Sequence, residues 1–197
     1  SRFLEALNEH KGEISVNSIP RLLEDLRRRL HAERSHLEVG FTYFMTKPAP
    51  VTHREGIMGY DCRFMAQGGA TEDFVVEVIV PVTTLCPCSK EISQYGAHNQ
   101  RGYVTVQVRT NDHLWIEEII EMVERSASAP LYPVLKRPDE KFVTEQAYDN
   151  PRFVEDMIRE VALAFEGEKR ITWYRIEGEK HENIHANNTY AKIKRTK

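Results

Sequence analysis

The sequence predicts an α+β fold built on a mostly antiparallel sheet, and three observations carry that expectation. Two apolar runs, Ile57 to Ala66 and Thr71 to Val82, are joined through Gly68-Gly69 and read as a hairpin. Two amphipathic helices follow later in the chain, one with Ile116, Ile119, Ile120 and Val123 on a single stripe, the other with Val154, Met157, Ile158, Val161 and Phe165. Arg170 to Glu177 and His185 to Lys194 close the chain as a final hairpin.

In chain order, Ser1 to Leu7 read as the interior of a domain, and Asn17 or Ser18 caps a helix from about residue 18 to 34. Pro20 suits its first turn, and Ile19, Leu22, Leu23, Leu26 and Leu30 recur at helical spacing. Arg27, Arg28 and Arg29 spread around that helix as a solvated face. Leu37 to Thr46 forms a strand, and Lys47-Pro48-Ala49-Pro50 forces an extended connection. Beyond the first hairpin, Tyr103 to Thr110 is a strand with Val104, Val106 and Val108 on one face. Asp112 is positioned to cap the second helix, and Asn150-Pro151 opens the third. Between them, Ala129 to Asp149 has three prolines and little periodicity, the mark of a functional loop or an irregular excursion.

A chain of 197 residues can bury a substantial core. Its formal net charge of -3 argues against a general nucleic-acid binder, while leaving room for a basic pocket facing a small polyanion. Three cysteines make no disulfide framework and fit a reducing, cytoplasmic setting. No stretch approaches the roughly 20 apolar residues of a membrane span, and no charged leader precedes an apolar run.

The densest chemistry lies between Ile79 and Gly102. A β-branched run stops at Thr83 and Thr84 and delivers Cys86-Pro87-Cys88; Ser89 is placed to cap a short helical turn, and Gly96 breaks it before His98, Asn99, Gln100 and Arg101. Cys86 and His98, 12 residues apart, are able to fold back on each other and share a metal. From spacing alone two readings stand: a shared divalent ion, or inert thiols beside a surface histidine.

The strings PVTTLCPCSKEIS and GAHNQRG resemble the signature of the type IB GTP cyclohydrolases, and the resemblance runs from about Leu22 to the C-terminus. It implies a tunnelling fold, in which antiparallel sheets carry helices on one side and close into barrels between subunits, here as two tandem units dividing near residues 95–100 of a single catalytic chain. It also implies an additional N-terminal stretch before residue 1, a homotetramer, and hydrolysis of GTP to 7,8-dihydroneopterin triphosphate and formate in folate biosynthesis.

Carried onto matching positions, the resemblance gives a divalent metal (zinc, manganese or iron) held by Cys86, His98 and Glu140, with Cys86 thereby catalytic. Glu140 falls in the charged segment Lys136 to Lys141, which by composition alone is a mobile, solvated loop. Glu155 matches the guanine anchor, where one carboxylate accepts both N1–H and the exocyclic amine; by position alone it is an acid complementing a helix N-terminus. His185 matches the first member of a His-x-His pair and a proton-transfer role, but Asn187 stands at the second place and leaves that second role open. Lys90, Arg101, Arg137 and Arg152 are the candidate cations for the triphosphate, Arg101 first. Two other functions remain compatible with the residues: thiol addition to a nitrile by an NADPH-dependent reductase of the same architecture, which needs no metal, and a zinc-stabilised scaffold without turnover.

Overall fold

A computed structural model of the chain describes residue 5 and residues 18–197. The expectations for Ser1 to Leu7, apart from Glu5, and for Asn17 as a cap lie outside the described residues. The strands form one sheet in the order β1-β2-β3-β4-β6-β7, with a short strand β5 off this path that pairs with the end of β3 at Val82 and Thr83. Their ranges are β1 (Ser35–Pro48), β2 (Glu55–Gly68), β3 (Asp73–Leu85), β4 (Asn99–Thr110), β5 (Ala129–Pro130), β6 (Ile171–Lys180) and β7 (Thr189–Thr196). Contacts divide the chain into two compact units, and β1, β2 and β3 each contribute residues to both.

The first unit combines helix α1 (Ile19–Leu30) with residues 35–41, 62–68 and 73–77 of the first three strands. Ile19, Leu22, Leu23 and Leu26 of α1 are buried as their spacing requires. Two details differ from the sequence reading. The helix ends at Leu30, four residues short of expectation, because His31 adopts a left-handed conformation (φ 52°) and backbone N–H groups of His31 and Ala32 close onto the carbonyls of Arg28 and Arg27. Leu30 itself is exposed, beyond the end of the buried stripe. Arg28 and Arg29 pair with Asp25 at 2.7 and 2.8 Å, and Arg27 with Glu24 at 3.4 Å, so each arginine of the run has a carboxylate partner on its own helix. Phe64 stacks between Phe41 and Phe74, with ring centroids 4.7 and 5.5 Å away.

The second unit holds residues 42–61 and everything from Val78 onward. Here β4 pairs antiparallel with β6, and β6 with β7, which confirms the closing hairpin. Alternate residues Val104, Val106 and Val108 of β4 are buried, as period-2 patterning demands. Helices α3 (Ile116–Ser126) and α5 (Val154–Gly167) bury Ile119, Ile120 and Val123 of the first predicted stripe, with Ile116 only half-buried, and Val154, Met157, Ile158, Val161 and Phe165 of the second.

Three expectations are corrected here. The cap of α3 is Trp115, whose backbone N–H is bound by Glu118 at 2.9 Å, whereas Asp112 spends its carboxylate on the N–H of His113. The stretch from Ala129 to Asp149 is no irregular excursion. It carries β5 and a 13-residue helix, α4 (Arg137–Asp149). Its apolar periodicity is weak because only Asp139 and Ala147 are buried, so the helix is held by polar anchoring that hydrophobic spacing does not reveal. Finally, α5 begins at Val154 rather than at Asn150-Pro151, and the Asn150 amide instead donates to the Ala127 carbonyl at 2.8 Å.

Candidate active site

Strand β3 runs through Thr83 and Thr84 to Leu85 and hands over directly to α2 (Pro87–Ile92), with Cys86 at the N-cap position and Pro87 in the first turn. Ser89 therefore lies inside this short helix instead of capping it, and its hydroxyl donates to the Cys86 carbonyl at 3.1 Å. The helix already ends at Ile92, where Ser93 turns extended, so Gly96, at φ 125°, shapes the following loop instead of breaking the helix as expected.

Register brings Cys86 and His98 together. Thr84 on β3 faces Gln100 on β4 through three contacts: the Thr84 hydroxyl donates to the Gln100 carbonyl at 3.4 Å, and the Gln100 amide donates to the Thr84 carbonyl and hydroxyl, each at 3.1 Å. Two residues after Thr84 and two before Gln100, the Cys86 N–H donates to the His98 carbonyl at 3.1 Å. Because side chains alternate, Cys86 and His98 continue the same faces of the two strands one step past the paired Thr84 and Gln100. The far edge of β3 is also secured, by Ser128 Oγ accepting from the Leu85 N–H at 3.0 Å and by the Arg152 N–H donating to the Leu85 carbonyl at 3.0 Å.

The chemistry of the pair suits a metal. Burial of the Cys86 thiol raises its pKa, but hydrogen bonds from the backbone and hydroxyl of Ser89, the one shared between the thiol and the His98 ring, and one from the Cys88 N–H outweigh this, so the net shift is downward, toward thiolate. His98 Nδ1 faces two amide oxygens, Gln100 Oε1 at 2.8 Å and Asn183 Oδ1 at 3.1 Å. Cys88 is exposed and Cys62 buried.

The other predicted residues are distributed as follows. The link from Arg152 to Leu85 sets the start of α5 beside the Cys86 end of β3, and Glu155 is exposed in the first turn of that helix. Arg152 Nη1 lies 3.9 Å from Glu160. Lys90 donates to the Tyr148 carbonyl and sits 4.2 Å above that residue's ring. Arg101 has an exposed side chain, and its carbonyl accepts from the His181 N–H at 3.3 Å. His185 is exposed in the turn between β6 and β7, a segment tied to the His98 strand by Asn183, whose amide donates to the Asn99 carbonyl at 2.7 Å.

Glu140 is exposed in the first turn of α4, not in a mobile loop, because its neighbour Asp139 is fully buried and bound at both oxygens. Among the described residues, no three His, Cys, Asp or Glu side chains converge closely enough to hold a metal ion. The structure thus brings together Cys86 and His98 and leaves Glu140 outside their immediate contact. Residues the sequence reading did not single out are Gln100, Asn183 and Asp139. A signal existed for Gln100, since on a strand it shares a face with His98 two residues before it.

The fold has clear counterparts. Urate oxidase from Bacillus sp. TB-90, as its P287G mutant, superposes with a TM-score of 0.60 over 99% of this chain and 77% of its own, at 8% sequence identity. At that identity the likeness concerns the fold alone, and it places the chain among the antiparallel α+β proteins of the tunnelling fold. The sequence is far more specific. A family model described as type I GTP cyclohydrolase folE2 matches residues 1–191. The protein named GTP cyclohydrolase FolE2 of Nitrosococcus oceani is 51% identical over all of this chain and 74% of its own length. GTP cyclohydrolase FolE2 2 of Dechloromonas aromatica is 52% identical over all of this chain and 73% of its own. The chain belongs to the type I GTP cyclohydrolase FolE2 family.

Proposed function

We propose that the chain is a GTP cyclohydrolase that converts GTP to 7,8-dihydroneopterin triphosphate and formate, the entry step of folate biosynthesis. Beyond family membership, the observation that carries this reading is the facing pair of Cys86 and His98 at the ends of β3 and β4. A thiolate-prone cysteine beside an imidazole is a donor set for zinc, manganese or iron, and Glu140 is the third ligand in this reading. A divalent ion bound there supplies a Lewis acid and water acidic enough to act near neutral pH.

The protein's own residues do the remaining work. The Glu155 carboxylate accepts the two donors on the guanine edge and fixes the base beside Cys86. Arg101, Lys90, Arg137 and Arg152 offset the triphosphate charge, with Arg101 first because its side chain is exposed and next to the His98 segment. Ring opening and formate release require a group that gives and takes protons near pH 7, and His185 holds that role. Asn187 carries no titratable group, so in this chain proton transfer falls to His185 alone of the two positions. Among the described residues no helix is long and apolar enough to cross a membrane. A homotetramer is part of the proposal.

The test is formate release and pterin fluorescence from GTP, with and without a chelator, together with metal content. Cys86→Ala and Glu140→Ala should lose metal and turnover, while Cys88→Ala keeps most of both. Chelator-resistant activity consuming NADPH would replace this reading with thiol chemistry, and unfolding on metal removal without any turnover would replace it with a scaffold. Mass measurement of the native protein checks the tetramer.

A further inference from the structure

We infer that Gln100, backed by Asn183, is a positioning residue for His98: it holds the imidazole proton on Nδ1 and leaves the Nε2 lone pair as the donor presented to a metal. The inference rests on the reading of His98 as a metal ligand, and its physical basis is that each amide has its orientation dictated from the far side. The Gln100 amide nitrogen donates to both the carbonyl and the hydroxyl of Thr84, at 3.1 Å each. Turning the amide over would set its oxygen against the Thr84 carbonyl, so Oε1 must face His98 Nδ1, at 2.8 Å. Asn183 is fixed in the same way. Its nitrogen donates to the Asn99 carbonyl at 2.7 Å, which aims Oδ1 at the same Nδ1 from 3.1 Å.

Two acceptors on one ring nitrogen require that nitrogen to carry the hydrogen, so in the neutral ring Nε2 is unprotonated. Gln100 is buried, at 8% exposure, and sits in the ladder between β3 and β4, so it cannot turn away without breaking its bonds to Thr84. A glutamine is suited to this place because its nitrogen anchors to one strand while its oxygen directs a ring on the next. Histidine ligands held this way lose about 10- to 100-fold in metal affinity when the outer partner is removed. Asn183 adds a second consequence: it clamps the turn that carries His185 to the strand that carries His98.

The experiment combines the nitrogen NMR shifts of His98 in metal-free protein, at about pH 8, above the ordinary range of an imidazole, with dissociation constants for zinc alone. Wild-type protein should show the proton on Nδ1. Gln100→Met should give a mixture of tautomers and zinc binding weaker by about 10- to 100-fold. Gln100→Glu keeps an oxygen against Nδ1 although its second oxygen meets the Thr84 carbonyl, so it should keep the proton on Nδ1 whatever it loses in stability; a purely structural role for Gln100 predicts the same mixture of tautomers in Met and Glu variants. A wild-type proton on Nε2, undiminished zinc binding in Gln100→Met, or the same tautomer mixture in the two variants would each overturn the inference. Should wild-type protein bind no zinc, the metal reading fails by itself, and the wild-type tautomer still decides the role of Gln100.

Discussion

Thr52 grips both oxygens of Asp139, its backbone N–H donating to Oδ1 at 2.8 Å and its hydroxyl to Oδ2 at 2.7 Å. The N–H groups of Val51 and Lys136 complete the set, each at 2.9 Å. The β1–β2 turn is thereby fastened to the first turn of α4, where Glu140 follows directly. Burial would raise the Asp139 carboxyl, but the four hydrogen bonds, led by those of Thr52, outweigh it and hold the group well below the usual carboxylate range. Asp139→Asn turns one acceptor into a donor facing N–H or O–H groups. It should lower the thermal midpoint at neutral pH and, by loosening α4, weaken any metal that Glu140 helps to hold. Because the folded carboxyl has the depressed pKa, its stabilisation is complete above the unfolded value of about 4 and disappears as pH falls toward the folded one. The gap between the thermal midpoints of wild type and variant should accordingly begin to narrow below about pH 4 and close only as pH approaches the depressed value; a gap that does not narrow at all in acid would show that packing, not the ionised carboxylate, is what Asp139 contributes.

Gly178 lies on β6 beneath α5, opposite Val104 on one side and Ala191 on the other. A Cβ at this position would stand 2.7 Å from Ile158 Cγ2 and 2.9 Å from Val154 Cγ2, both branched side chains buried in the interface. Gly178→Ala should therefore cost about 1–3 kcal/mol of stability through overpacking. Since Glu155 sits between those two contacts on the helix, GTP affinity should fall as well. Urea unfolding and GTP titration on the same preparation check both effects, and unchanged stability would mean that α5 shifts freely on the sheet.

Glu155→Gln tests the guanine contact without disturbing the helix, because the side chain is exposed and α5 is seated by Val154, Met157 and Ile158. A carboxamide offers one acceptor where the guanine edge needs two and presents a donor to the second. The expected loss is about one to two powers of ten in affinity, with no change in thermal midpoint. Calorimetry with a slowly hydrolysed GTP analogue measures it; an unaltered dissociation constant would return Glu155 to a helix-dipole role.

Replacing His185 by Ala should separate chemistry from binding. Metal content and GTP affinity should stay near wild type while turnover drops by about 10² to 10⁴, the usual contribution of a positioned acid or base. Loss of metal together with activity would make His185 a ligand, and normal formate release would remove it from the mechanism.

What the sequence determined by itself was local in origin. Alternation along Tyr103 to Thr110, the glycine turn at Gly68-Gly69 and the stripes of α3 and α5 could be read directly, because each records how consecutive residues meet one buried face. The string from Cys86 to Arg101 likewise carried its family resemblance in contiguous letters. The tertiary structure alone decided how those letters are used. Asp139 is an ordinary acid in a charged run until Thr52, 87 residues away, supplies its donors, and that distant capping is why α4 forms where little hydrophobic period announces it. Gln100 is one polar residue among several until strand register sets it against Thr84, and Asn183 reaches His98 across 85 residues of chain. A buried polar group is stable only with its partners in place, and these partners are chosen by strand register and by the docking of turns, which no short window of sequence contains.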